Sequence, residues 1–285
     1  MPLAKTGFMK PVRCGLLPGE SRAVVERLNA PLRAYLARRL ARPVELVVGT
    51  SYVATGEALR RGQLDLAYLG PVTYILQSRL SPLTPCVRPS HGGEAGPTFK
   101  AAIIVAADSA ASSLADLRGG EVAMGDLAST SGAWAPRQML LSAGLLLERD
   151  YRRVTLGAHD AVACAVAKRQ ASAGGVSLPI LHRLLAEGRV AAHALRILAE
   201  SLPIPEYMWT FRAGLDRGLC EAIRRAFIEL DDPMVLGAYH AEAFIPAVDA
   251  DVDRVRHWME DVLQARLCAT TPPWVMPPAT ELLAC

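Results

Sequence analysis

The chain has 285 residues, 51% of them hydrophobic and 21% charged, which suits a soluble globular protein of one large or two medium domains. The formal net charge is +3, with no basic tract long enough to point to nucleic acid or an anionic membrane. No apolar run approaches the ~18 residues that a membrane-spanning helix needs. Residues 1–7 lack the apolar core of a secretory signal, so the chain reads as cytoplasmic or as one whose leader has been removed.

In chain order, residues 12–17 form a short apolar strand. Ser21 caps a helix that runs to about Leu40, with Val24, Val25, Leu28, Leu32 and Leu36 near helical spacing. A β-branched strand follows at 44–48. Thr50 or Ser51 opens a helix that Gly62 ends, 64–69 is a strand closed by Gly70-Pro71, and 72–79 is helical. This βαβαβα order predicts parallel strands joined by right-handed crossovers. Residues 85–97 read as a Pro/Gly-rich loop, and 99–106 as a fully buried strand.

The pattern then restarts: a short helix at 113–117, a strand at 121–124, a helix at 135–143, a strand at 152–156, a helix at 160–169, a strand at 171–176, a helix at 178–187 and a strand at 194–199. Helices at 217–230, 233–243 and 252–266 close the chain. The stretch from Ala58 to Tyr68 echoes that from Val166 to Gly174: each is a helix end, a basic turn and a small-residue strand. The expected fold is therefore α/β with two lobes. Lobe 1 takes residues 1–105 plus 206–285, lobe 2 takes 106–205, and crossovers lie near 100–106 and 205–212. In such sheets ligands bind beyond the carboxyl ends of the strands, so the facing lobes should enclose a cleft that closes by hinge motion.

The turns that point into this cleft are rich in hydrogen-bond donors. The most informative is Ser129-Thr130-Ser131-Gly132, where a strand hands over to a helix. Unpaired N–H groups, the helix dipole and three hydroxyls would make an anion hole there, although a plain helix cap uses the same residues. His159 opens another helix and reads as a cap, or as an anion donor whose pKa the bound charge would raise. Asp160 needs no role beyond the helix dipole. Tyr52 is core, or a directed phenol at a helix start. No catalytic motif of the G-x-S-x-G, P-loop, HExxH or G-x-G-x-x-G type occurs, so no catalytic residue, enzyme activity or cofactor is expected. The cysteines at 14, 86, 164, 220, 268 and 285 lack metal-site spacing, and no metal is expected. Cys14, Cys164 and Cys220 read as buried apolar residues, and Cys268 with Cys285 as a pair available in an oxidising compartment.

Several ordered segments carry a family resemblance. They are Val12 to Pro18, Pro43 to Val48, Gly62 to Pro71, Ser113 to Gly119, Gly125-Asp126 through Ser129-Thr130-Ser131-Gly132, Gly157 to Ala161, and Pro203-Ile204-Pro205. Over about residues 11–265 the chain resembles the phosphonate/phosphite/phosphate-binding (PhnD-like) subunits of ABC transporters, which are type 2 periplasmic binding proteins. The resemblance implies a two-lobed fold, a small oxyanion ligand and an ABC permease as partner. It also implies a periplasmic location and a monomeric state. Ser129, Thr130, Ser131 and His159 would be the oxyanion donors from lobe 2, and Tyr52 the partner from lobe 1. Family members that hold aminoalkylphosphonates place acidic residues where this chain has Ser177 and the Pro205-Glu206-Tyr207-Met208 loop. Only Glu206 is left for that role, which favours a smaller ligand with an uncharged tail. Cys86 raises a second expectation by resemblance to the arsenite-binding (AioX-like) sensors. There a cysteine sulfur near the cleft floor would hold arsenite, with a sensor kinase as partner.

Overall fold

The computed structural model describes residues 10–92 and 96–270. Strand β1 (Val12–Leu16), helix α1 (Arg22–Leu40), β2 (Val44–Val48), α2 (Tyr52–Arg60), β3 (Leu66–Leu69) and α3 (Pro71–Ser78) build the first βαβαβα unit. β1 pairs in parallel with both β2 and β3, as the alternating order predicts. Ser51 caps α2, its hydroxyl accepting the Ala54 N–H at 3.0 Å. Ser21 stands at the start of α1 but its side chain makes no capping hydrogen bond.

The chain then departs from the expected loop at 85–97. Residues Thr84–Ser90 form β4, held between two later strands: β12 (Met208–Phe211) and β13 (Ala243–Pro246). Pro85 and Pro89 argue against a strand because proline donates no ladder hydrogen bond. A register shift opposite Trp209 and Thr210 lies next to Pro85, and Pro89 stands opposite Phe244 of β13.

Short strand β5 (Thr98–Phe99) leads into β6 (Ala101–Ala106). β7 (Glu121–Gly125), α4 (Ala135–Ser142), β8 (Arg152–Gly157), α5 (His159–Ala167), β9 (Ala173–Ser177), α6 (Leu178–Ala186) and β10 (Leu195–Glu200) follow. These strands form a second sheet in the order β10-β6-β9-β7-β8, beside a first sheet in the order β13-β4-β12-β3-β1-β2. A boundary at residue 105 would cut through β6, which pairs along its length with β9 and β10. The two sheets separate before β6, where β5 pairs antiparallel with β11 (Ile204–Pro205). The two chain crossings thus lie side by side.

The closing helices are α7 (Arg217–Ile228), α8 (Pro233–Ala238) and α9 (Asp253–Thr270). α8 stops five residues short of the expected end at 243, and the chain enters β13 there. One buried cluster, including Tyr52, Tyr74, Met124, Trp134 and Trp258, runs through both lobes. Among the described residues no helix is long and apolar enough to cross a membrane. Cys14 is buried, while Cys164 and Cys220 are half-buried. The side chain of Cys268 and the whole of Cys285 lie outside the described residues, and so does their suggested pairing.

Candidate functional site

The turns predicted to meet do meet. Each follows the carboxyl end of a parallel strand, where backbone N–H groups of the next helix are free. After β7 the chain enters a π-helical turn, Thr130–Trp134, with Ser129 as its cap. The wider turn lets Trp134 N–H reach back to Ser129 O at 3.2 Å, and such turns are frequent at functional sites.

The three hydroxyls have different duties. Ser129 Oγ accepts the Gly132 N–H at 3.0 Å, so the plain capping role is real. The phenols of Tyr52 and Tyr207 also lie close enough to feel it. Thr130 Oγ1 reaches across the cleft to accept Val72 N–H at 3.0 Å. Ser131 Oγ is fully buried and completes no hydrogen bond of good geometry, although the Tyr207 phenol lies close enough to feel it. A buried hydroxyl without a partner is a costly arrangement unless another group supplies one.

His159 stands at the first position of α5 and is 2% exposed. Its Nδ1 accepts the Ser177 N–H at 3.2 Å, which puts the neutral ring's proton on Nε2. Cε1 lies against Gly132 and Cδ2 towards Gly19. Nε2, bonded to both carbons, is thus directed between the two lobes. Burial pushes the imidazole down to about 4, because a low-dielectric site disfavours the charged form. The ring is therefore neutral at physiological pH in this structure, and the rise expected from the sequence is that of a ring beside a bound anion. A Cβ at Gly132 would stand 2.9 Å from both His159 Cε1 and Ser129 Oγ. Only glycine lets these groups close on one point.

Lobe 1 supplies Tyr52, fully buried at the start of α2, and Tyr207, which follows β11. Their phenols lie close enough to influence each other, and burial raises both above the ordinary tyrosine value. Tyr207 packs on Tyr68 at 5.5 Å and on Phe99 at 5.8 Å between ring centroids. A Cβ at Gly70 would come within 2.8 Å of the Tyr207 ring, so that glycine seats the phenol.

The lobes touch directly around this cluster. Tyr52 N–H donates to Asp126 Oδ2 at 3.0 Å, Thr73 Oγ1 donates to Ala128 O at 3.0 Å, and His159 N–H donates to Gly19 O at 3.0 Å. Asp126 thus places a carboxylate on the positive end of α2. Asp160 does more than complement a helix dipole: it accepts from Ser21 N–H at 3.3 Å and pairs with Arg189 at 2.9 Å. Glu20 of lobe 1 is ion-paired to Arg183 of α6. Asp126, Glu20 and Arg183 carry roles that the sequence did not reveal. The available signal was position, since Asp126 and Glu20 both sit in strand-to-helix turns.

Behind the two phenols lies a cavity of about 210 Å³ whose lining includes Tyr52, Ser177, Tyr207 and Glu206. Glu206 is buried rather than turned to solvent. Oε1 binds His91 Nε2 at 2.7 Å, and Oε2 accepts Tyr207 N–H at 3.1 Å. The hydrogen bond to Glu206 raises the His91 pKa.

Cys86 is elsewhere. It is fully buried in β4, within the apolar cluster that joins the first sheet to α1 and α7. Burial pushes its thiol up to about 12, with Arg224 of α7 the nearest charge that opposes this. It does not line the cavity. The expected cysteine on the cleft floor is a core residue, because the supposed loop is a strand whose side chain at 86 faces away from the cleft.

Comparison with known proteins agrees with this fold. The family model described as "ABC transporter, phosphonate, periplasmic substrate-binding protein" matches residues 14–252. The phosphate-import protein PhnD of Mycolicibacterium smegmatis is 22% identical over 277 residues, covering 88% of this chain and 85% of that protein. Among solved structures, the binding protein component of an ABC phosphonate transporter from Pseudomonas aeruginosa superposes with a TM-score of 0.83 at 18% identity, covering 97% of this chain and 93% of the other. PhnD1 from Prochlorococcus marinus, in complex with methylphosphonate, gives 0.81 at 18% identity, with 89% and 98% covered. These relatives are binding proteins of transporters, not enzymes. None of these relatives points to the arsenite-binding branch.

Proposed function

Because the chain belongs to the family of periplasmic substrate-binding proteins of phosphonate ABC transporters, we propose that it captures a small phosphorus oxyanion between its lobes and presents it to an ABC permease. The ligand class is phosphonate, phosphite or phosphate. The observation that carries this reading is Ser131 Oγ, a buried hydroxyl that completes no hydrogen bond of good geometry and has the Tyr207 phenol close by, in the same turn as Ser129 and as Gly132, which packs on His159. Hydroxyl, imidazole and phenol donors from both lobes suit an oxyanion with several acceptor oxygens. Thr130 and Asp126 serve closure instead, since they bind backbone of the opposite lobe. A ligand that engages both lobes shifts the open–closed equilibrium towards the closed form. On this reading the protein works in the periplasm as a monomer.

Thermal unfolding of the full chain with phosphate, phosphite, methylphosphonate and arsenite tests it. A ligand at a hundred times its Kd stabilises by about 2.7 kcal/mol, a rise of a few degrees in a chain of this size. The expected result is a rise with at least one phosphorus oxyanion and none with arsenite. A rise with arsenite alone, or with none of the four, overturns the reading.

A further inference from the structure

The cavity of about 210 Å³ lies next to the hydroxyl cluster, yet neither the Ser129–Ser131 turn nor His159 contributes to its lining. Tyr52 and Tyr207 do. Their phenols also lie close enough to influence Ser129, and that of Tyr207 to influence Ser131. The two rings therefore form a partition. One side of it carries the hydroxyls of lobe 2. The other is a chamber with much apolar wall, including Leu17, Leu28 and Ile180, where an alkyl group would replace water favourably.

Tyr207 is held in the partition from several directions. Its ring packs on Tyr68 and Phe99, and a Cβ at Gly70 would stand 2.8 Å from it. Its N–H donates to Glu206 Oε2 at 3.1 Å, and Glu206 Oε1 lies 2.7 Å from His91 Nε2. His91 Nδ1 lies 2.7 Å from His240 O in turn. Strands β11 and β12 fix the backbone on either side of the residue. Swinging the ring aside would undo this aromatic packing.

A substituent on a phosphorus atom held by the hydroxyl cluster finds little room. Towards lobe 2 even one carbon is too many, since a Cβ at Gly132 would stand 2.9 Å from both His159 Cε1 and Ser129 Oγ. Towards the chamber it meets the two phenols.

We propose that Tyr207 determines specificity: its ring confines the ligand to a bare oxyanion, phosphate or phosphite, by keeping organic substituents out of the apolar chamber. This inference rests on the oxyanion reading of the Ser131 cluster, and it narrows the expected small ligand to one without a carbon tail. The chamber is then a space that the ring seals off, not a part of the binding site.

The test is calorimetric titration of the full chain with phosphate, phosphite and methyl-, ethyl-, propyl- and butylphosphonate. From phosphite onwards only the group on phosphorus grows. In the wild type, phosphate or phosphite should bind tightest, and ethylphosphonate roughly tenfold or more weaker, as forcing extra carbons into a packed site implies. In Tyr207→Ala the order from methyl to butyl should reverse, each methylene that enters the chamber adding about fourfold. Tyr207→Leu, which leaves a smaller gap, should reverse it too. Tyr207→Phe keeps the ring, so its affinities should still fall with chain length, whatever the lost hydroxyl does to all of them. Wild-type affinities that stay level or rise from phosphite to butylphosphonate overturn the proposal and leave the oxyanion reading standing. A series that falls in the alanine and leucine variants as it does in the wild type also overturns it. If neither phosphate, phosphite nor any phosphonate binds the wild type, the oxyanion reading falls and this one with it.

Discussion

The two lobes repeat one chain path yet place different chemistry at equivalent turns. In lobe 1 the strand order β3-β1-β2 is parallel, and in lobe 2 β9-β7-β8 repeats it. The strand next to each trio is antiparallel, β12 beside β3 and β6 beside β9. At the cleft, lobe 1 offers phenols and backbone N–H groups, and several of those N–H groups already find acceptors on lobe 2: Tyr52 on Asp126, and Val72 on Thr130. Lobe 2 keeps Ser131 Oγ without a hydrogen bond of good geometry and His159 Nε2 directed between the lobes. On the proposed function the contrast is a division of labour, in which lobe 1 largely registers closure and lobe 2 the ligand.

Acid should break the lobe 2 site first. His159 titrates at about 4 in the folded chain against an ordinary value of 6.5. Between these values the unfolded chain binds more protons than the folded one. Stability is therefore complete above pH 6.5 and falls as pH drops towards 4, by at most about 3 kcal/mol. Denaturant unfolding at several pH values should show this slope, and His159→Gln should lose that share of it. An unchanged slope in the variant would mean that the imidazole is not held neutral.

Ser131 and Thr130 should then separate binding from closure. Ser131→Ala removes a buried hydroxyl that completes no hydrogen bond of good geometry and has the Tyr207 phenol close by across the cleft. Oxyanion affinity should drop by roughly 10- to 100-fold, the worth of a hydrogen bond to a charged group, with the melting temperature of the free protein nearly unchanged. Equal losses in stability and affinity would make Ser131 a structural residue. Thr130→Val acts on closure alone, because water can satisfy Val72 N–H once the lobes open. It should weaken affinity by about 1 kcal/mol, through a smaller closed fraction. Small-angle scattering of the free protein should show a larger mean radius than the wild type.

Much of this was legible in the sequence, and the failures have a common cause. Alternating apolar runs and glycine-terminated helices marked the parallel units, because local periodicity and local burial agree there. The donor-rich turns followed from strand polarity, and the hydroxyl triplet falls where it was expected. What escaped depends on long-range pairing. β4, β12 and β13 are antiparallel strands distant in the chain, and the prolines of β4 disguise it. The duty of each hydroxyl was equally hidden. Ser129, Thr130 and Ser131 look alike in sequence, and only the opposing Val72, Tyr52 and Tyr207 distinguish them.

Cys86 gives the weakest expected effect on binding. It sits in the lobe 1 core, fully buried in one cluster with Trp209, Phe211 and Phe227, with a thiol pushed up to about 12. A thiol so resistant to ionisation is a poor ligand for a soft centre, since the thiolate is the binding form. Cys86→Ala should cost about 1 kcal/mol of stability through the small void it leaves. Oxyanion affinity should stay within about twofold, because residues that share no partner contribute independently. A much larger loss of affinity would mean that the core of lobe 1 is coupled to the hydroxyl cluster of lobe 2, and would undo the separation of closure from recognition.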